Sequence, residues 1–228
     1  MLLAIPQAVN AAQLAELRAR LAPSNPDWVD GRVTAGSQGV AVKNNRQIGE
    51  RTETARTLGD VVLGALERNP LFISATLPNQ VYPPMFNRYD VGMYFGNHID
   101  NAVRLLPGTG MKLRTDLSVT VFLAEPDSYD GGELVIEDRY GTQAVKLAAG
   151  DAVVYPSTSL HQVTPITRGA RLACFFWVQS LIADDNQRRI LFDIDQAIQR
   201  LAATGADAAA CTQLSGSYHN LLRLWSAP

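Results

Sequence analysis

The chain has 228 residues, of which 46% are hydrophobic, enough for one sizeable core and, at roughly 100–200 residues per domain, for one compact domain with appended elements. Its 20 basic and 22 acidic residues are well mixed and leave a formal net charge of -2, so no basic stripe offers a footprint for nucleic acid. The longest apolar run, Leu172 to Val178, falls far short of the roughly 20 residues that span a bilayer, and no membrane partner is expected.

The opening stretch MLLAIPQAVNAAQLAEL carries no basic segment and breaks at Pro6, so it does not read as a signal peptide. Asn10 is placed to cap a helix whose Leu14, Leu17 and Leu21 recur at helical spacing; Pro23 and Pro26 end it. Gly36 to Ile48 is polar and rich in Gly and Asn, which predicts a loop or weak strand. Residues 50 to 68 return to a helical pattern through Ala55, Leu58, Val62, Leu63 and Leu66.

From about residue 72 to 180 the pattern changes to short β-branched and aromatic runs: FISATL, FNRYD, LSVTVFL, GELVIE, QAVKL, DAVVYP and RLACFFWVQ. Turn signals such as Asp130-Gly131-Gly132 separate them, and this spacing predicts a sandwich, barrel or jelly roll. The tail is helical again. Ile190, Leu191, Ile194, Ala197, Ile198 and Leu201 form a stripe closed by Gly205, and a second helix is expected over 207–224. The fold class is therefore a mainly β core with flanking N- and C-terminal α-helices. The tail stripe packs on the core or on a second copy of the chain, a possible homodimer. The two cysteines, Cys174 and Cys211, form no C-x-x-C pair and read as reduced thiols in a cytoplasmic protein.

Chemistry concentrates on few residues. Of three histidines, His98 and His161 lie in the β zone. In a strand, residues i and i+2 share a face, so His98 and Asp100 in FGNHIDN can reach one point. A second imidazole from another strand would complete a two-histidine, one-carboxylate face, and His161 in YPSTSLHQVTP is the candidate. Such a face leaves three positions open on an octahedral ion, the arrangement of non-heme iron(II) oxygenases. Arg171, ten residues beyond His161, opens an apolar strand; it is either exposed or paired with an anion, and its fork of donors suits a carboxylate. An even separation along a strand pair would put His161 and Arg171 on one face. Arg168 sits at a turn and reads as solvated, as does Glu133. Gly131 and Gly132 serve a turn that needs positive φ.

The runs RYDVGMYFGNHIDN, LSVTVFL, YDGGELVIE and GDAVVYPSTSLHQVTPITRGARLACFFWVQ together resemble the 2-oxoglutarate/iron(II) dioxygenase superfamily. Within it, AVKNNRQ and the tail QSLIADDNQRRILFDID resemble the bacterial PKHD-type hydroxylases, named for their likeness to prolyl and lysyl hydroxylases. The resemblance implies a double-stranded β-helix (jelly-roll) core over 80–180, with 1–79 packing on it and 181–228 as a helical extension. It implies iron(II) on His98, Asp100 and His161, and the C5 carboxylate of 2-oxoglutarate on Arg171. A tyrosine before the H-x-D motif, Tyr89 or, as runner-up, Tyr94, would be a further co-substrate contact. Dioxygen would be the second co-substrate and L-ascorbate a reductant. The substrate, a small molecule such as a siderophore or a peptidyl side chain, would be hydroxylated with release of succinate and CO2. Asn101 to Arg114 is either a lid or a surface loop, and Lys43, Asn44, Asn45 and Arg46 either line the pocket or face solvent. A halogenase would lack the carboxylate at Asp100, and a zinc hydrolase would leave Arg171 without a role. The alternative of a different class is a non-catalytic metal- or ligand-binding jelly-roll module.

Overall fold

The computed structural model describes residues 1–34, 39–138, 141–205 and 207–227, so the loop or weak strand expected from Gly36 lies in part outside the described residues. The first strand, β1 (Leu3–Ile5), leads into α1 (Ala11–Arg20). There the Asn10 side chain accepts from the Gln13 N–H while Gln13 Oε1 accepts from the Asn10 N–H, a reciprocal capping box that satisfies two otherwise orphaned donors. Then follow β2 (Trp28–Asp30), β3 (Lys43–Asn44), β4 (Arg46–Ile48) and α2 (Glu53–Leu66), the last capped by Thr52.

The run FISATL, expected as a strand, is instead the body of α3 (Pro70–Thr76). Its β-branched and aromatic residues point to a strand, but Asn69 caps the first turn and Pro70 occupies the first helical position, where a missing N–H costs nothing. Cap chemistry outweighs the weaker propensity of the interior.

The β region then runs β5 (Pro78–Val81), β6 (Met85–Tyr89), β7 (Tyr94–His98), β8 (Val103–Leu105), β9 (Lys112–Arg114) and β10 (Leu117–Phe122). It continues with β11 (Leu134–Asp138), β12 (Gly141–Val145), β13 (Ala152–Pro156), β14 (Leu160–Val163) and β15 (Arg171–Ser180), before α4 (Asp185–Ala203) and α5 (Ala208–Trp225). All recorded pairings are antiparallel. The larger sheet has the order β1-β13-β10-β15-β6-β4-β2, with β5 also on β15; the smaller has the order β12-β11-β14-β7-β3; β8 and β9 form a separate hairpin. These two sheets and their crossed strand order are the jelly roll.

The period-2 alternation of strands assigns the faces of the larger sheet. Leu117, Val119 and Val121 of β10, with Leu172, Cys174, Phe176 and Val178 of β15, join Leu17 of α1, its C-cap Leu21, and Leu58 and Val62 of α2 in the main apolar core. The alternate residues Ser118 and Thr120, and Arg171, Phe175 and Trp177, line a cavity on the other side, toward the smaller sheet. Polar residues inside two otherwise apolar strands therefore share one interior face.

The helical tail departs from its expected stripe. Leu191 is buried with Leu77 and Ile182, Ile194, Ala197 and Ile198 are half-buried, and Ile190 and Leu201 are exposed. Asp184 caps α4, and the buried Arg188 donates to the Ile182 carbonyl at 2.7 Å and to Asp185 at 2.7 Å. No described helix is long and apolar enough to cross a membrane.

Candidate metal centre and its cavity

Strands β7 and β14 are neighbours in the smaller sheet, and His98 stands directly opposite His161 in their register. Their rings lie 4.2 Å apart between centroids. The same pairing sets Val163 against Phe95, so three steps on β7 face two on β14. That extra residue is a bulge, and it breaks the alternation. Phe95 and His98, an odd number of residues apart, consequently both line the cavity and stack at 3.6 Å.

Each imidazole is oriented from behind. His98 Nδ1 lies 2.8 Å from the Gly96 carbonyl within the bulge, and His161 Nδ1 lies 3.0 Å from the Ser159 carbonyl. A carbonyl only accepts, so each Nδ1 carries the proton and each Nε2 keeps its lone pair for a metal. Burial, and then the facing His161, push His98 down to about 4, which keeps it a neutral ligand at neutral pH. Asp100, two residues past His98, completes the group: one ligand atom from each of His98, Asp100 and His161 lies within 4.8 Å of the others. Asp100 Oδ2 is 3.8 Å from His161 Nε2 and accepts from Ser118 Oγ at 2.6 Å, which in turn lies 2.8 Å from Ser157 Oγ. Two imidazoles and a carboxylate, each held by a hydrogen bond from behind, fit a divalent ion.

Arg171 is on the same cavity, though not by the route its even spacing from His161 suggests. Strand β14 belongs to the smaller sheet and β15 to the larger, so the two side chains approach from facing sheets. Arg171 is 1% exposed. Its Nη1 has one long contact, 3.4 Å to Asn87 Oδ1, and its Nε has no partner. Among the described residues no carboxylate pairs with it. The guanidinium carbon lies 5.4 Å from the Tyr89 ring and 5.5 Å from that of Phe122. A buried guanidinium without a counter-ion is costly, and an anionic ligand is the economical remedy.

Tyr89 stands opposite Arg171 in the β6–β15 register and lines the cavity; Tyr94 is exposed and does not. Burial raises the Tyr89 phenol above its ordinary value, so it is a donor. Tyr155 escaped sequence reasoning. It is buried on β13, edge-on to His161 at 5.2 Å, and its phenol, pushed up chiefly by burial, feels both Asp100 and Arg171. Nothing local in AVVYP marks it. Its place follows from β13 pairing with β10 across the sheet.

The cavity holds about 460 Å³, within the range of small-molecule sites. Of the four residues in the KNNR run, Lys43 and Asn45 line it, whereas Asn44 is exposed and Arg46 lies 5.9 Å from the Trp28 ring. The segment Asn101 to Arg114 is largely the β8–β9 hairpin, anchored by the buried Leu113. Its Arg104 lines the cavity, 4.2 Å from the Trp177 ring and 4.7 Å from that of Tyr82. Arg168 is exposed and pairs with Asp130 at 2.7 Å. Glu133, expected to be solvated, is half-buried and accepts from Thr164. His219, the third histidine, is exposed on α5.

Residues 84–179 match the family model described as the 2OG-Fe(II) oxygenase superfamily, and 185–227 that of the PKHD-type hydroxylase C-terminal domain. A PKHD-type hydroxylase of Burkholderia ambifaria is 66% identical over 226 residues, 99% of either chain. Two solved structures share the fold. A Pseudomonas putida prolyl-4-hydroxylase is 21% identical with a TM-score of 0.52, over 78% of this chain and 92% of that one. A prolyl hydroxylase from Trichoplax adhaerens, in complex with a hypoxia inducible factor peptide fragment, is 14% identical with a TM-score of 0.57, over 83% and 86%. The chain thus belongs to the PKHD-type hydroxylases, a family of the 2-oxoglutarate- and iron(II)-dependent oxygenase superfamily.

Proposed function

We propose that His98, Asp100 and His161 hold iron(II), that Arg171 receives the C5 carboxylate of 2-oxoglutarate with Tyr89 beside it, and that the protein hydroxylates a small molecule or a peptidyl side chain. The observation that carries this reading is the three convergent ligand atoms in one cavity with a buried arginine that lacks a carboxylate partner. Bound iron would supply the activation of dioxygen that couples decarboxylation of 2-oxoglutarate, to succinate and CO2, to insertion of oxygen into a C–H bond.

The chain's own residues do the placing. The Gly96 and Ser159 carbonyls fix both imidazole tautomers, and Ser118 fixes the Asp100 carboxylate. Arg171 orients the co-substrate from the far end, and Phe95, Phe175 and Trp177 supply apolar surface to a wall that also carries Lys43, Gln47 and Arg104. L-ascorbate is the expected reductant. Two unpaired thiols, Cys174 and Cys211, support a reducing, cytoplasmic setting. A homodimer through the tail is supported by α5, which has no fully buried residue.

The test is succinate formation by purified protein supplied with iron(II), 2-oxoglutarate, ascorbate and oxygen. Wild type should release succinate even without its substrate, and His98→Ala and Asp100→Ala should not. Release by His98→Ala at the wild-type rate removes the assignment, and no release by iron-loaded wild type favours the non-catalytic binding module.

A further inference from the structure

Granted that reading of the site, the charges around the cavity are matched one by one until Lys43 is reached. Arg104 has Glu50 at 3.7 Å. Arg171 would have the C5 carboxylate of 2-oxoglutarate. A ferrous ion would balance Asp100 and the C1 carboxylate together. Lys43 has nothing equivalent, because among the described residues no carboxylate lies within ion-pair distance of it.

Its position makes that absence informative. Lys43 is 6% exposed and lines the cavity from β3. Its Nζ donates to Thr34 Oγ1 at 3.0 Å, a neutral hydroxyl that itself donates to Gln47 Oε1. An ammonium has three donors, and among the described residues two of them have no partner. The Nζ lies 5.1 Å from the Phe95 ring centroid and 6.0 Å from that of Phe175. Those rings offset part of the cost of burying the charge, but they leave its hydrogen-bonding capacity unmet. Asp100, Glu50 and Asp30 act on it only at longer range, and burial with Arg104 nearby pulls it down to about 8. The same wall presents Gln47 Nε2, buried and without a partner. Phe95 is shared between the two sites, since it also stacks on His98 at 3.6 Å. A group held at Lys43 therefore sits beside the metal centre.

We propose that Lys43 anchors an anionic group of the primary substrate, a carboxylate on a planar apolar body, seated against Phe95, Phe175 and Trp177 with Gln47 as a second donor. The substrate class is a small organic acid that enters charged end first.

The experiment needs no turnover. Protein loaded with Mn(II) and 2-oxoglutarate under nitrogen is titrated with matched acid and amide probes: benzoate and benzamide, phenylacetate and phenylacetamide, cinnamate and cinnamamide. Paramagnetic broadening of probe protons reads both affinity and closeness to the metal. At least one acid should bind about tenfold or more tightly than its amide, as a charge-assisted hydrogen bond implies. The preference should vanish in Lys43→Met and persist in Lys43→Arg. Acid and amide binding alike in all three pairs, including binding of neither, overturns the inference, and so does a preference that survives Lys43→Met. Lys43→Gln serves if circular dichroism shows Lys43→Met to be unfolded. 2-Oxoglutarate affinity is measured alongside. If Lys43→Met loses it, Lys43 belongs to the co-substrate and the inference falls. If wild type never binds 2-oxoglutarate, the functional reading falls instead, and the acid–amide comparison on Mn(II)-loaded protein still decides the role of Lys43.

Discussion

Replacing Arg171 with methionine should move stability and co-substrate affinity in opposite directions. The side chain is 1% exposed, and among the described residues its Nε lacks a partner and its contact with Asn87 is 3.4 Å long, so the metal- and ligand-free protein carries a buried charge with little compensation. Exchanging such a charge for an apolar group of similar length is neutral or stabilising, by up to about 4 kcal/mol. The Tyr89 and Phe122 rings at 5.4 and 5.5 Å already offset part of the burial, so about 1 kcal/mol is the better expectation, or about 2–4 °C in Tm for a chain of this size. Binding goes the other way. Two charge-assisted hydrogen bonds at about 1.5–3 kcal/mol each amount to about 3–6 kcal/mol, or roughly 10²- to 10⁴-fold in the Kd of 2-oxoglutarate. At 100 times the wild-type Kd, 2-oxoglutarate should stabilise Mn(II)-loaded wild type by about 2.7 kcal/mol and the variant by no more than about 0.4 kcal/mol. Thermal melts of both proteins, with and without 2-oxoglutarate, provide the measurement. A variant that melts well below wild type in the absence of ligand yet keeps its 2-oxoglutarate shift would show that Arg171 is structural, and the reasoning would fail.

Three further outcomes follow from the same geometry. Ser118→Ala removes the 2.6 Å donor to Asp100 and should weaken metal affinity about 10- to 100-fold, with succinate formation recovering at high metal; unchanged affinity in a Mn(II) titration would contradict it. Gly132→Ala should destabilise by about 1–3 kcal/mol, because φ is +67° and a non-glycine residue there is strained. It should also raise the 2-oxoglutarate Kd, since the new Cβ would fall 3.2 Å from Arg171 Cδ and 2.4 Å from Ile166 Cδ1; wild-type values in urea unfolding and ligand titration would refute both. For Lys43 the unfolded chain keeps its proton up to the ordinary value of 10.5, whereas the folded chain releases it near 8. Between those values the unfolded state binds more protons, so wild type should gain stability over Lys43→Met as pH rises from 8 to 10.5; a flat difference across that window in chemical denaturation would exclude it.

Part of this site was legible before any coordinates. His98, Asp100, His161 and Arg171 stand out because metal-binding and carboxylate-binding residue types are conspicuous in short β-rich runs, and the structure brings all four to one cavity. Ser118 and Tyr155 are ordinary residues in ordinary strands, and their role depends on which strands become neighbours. Lys43 and Arg104 are further apart still, one before α2 and one on a hairpin, and only the closed sandwich makes them a wall. The error over FISATL has a different origin. Six residues of mixed propensity carry less information than the single cap in front of them, and Asn69-Pro70 was the stronger signal.

The bulge in β7 has a consequence for how this centre can be lost. The bulge between Phe95 and His98, and not ligand composition alone, decides which way the imidazole points. If β7 paired evenly with β14 from Phe95 onward at its present length, Asn97 would stand opposite His161 and His98 would turn from the interior to the outer surface with every ligand still encoded. Deleting one residue between Phe95 and His98, by contrast, would leave them two apart and on one face. Substitutions that abolish the bulge without changing the strand's length would therefore silence a descendant of the protein as completely as mutation of the ligands themselves, while a search for the H-x-D motif would still score it as intact.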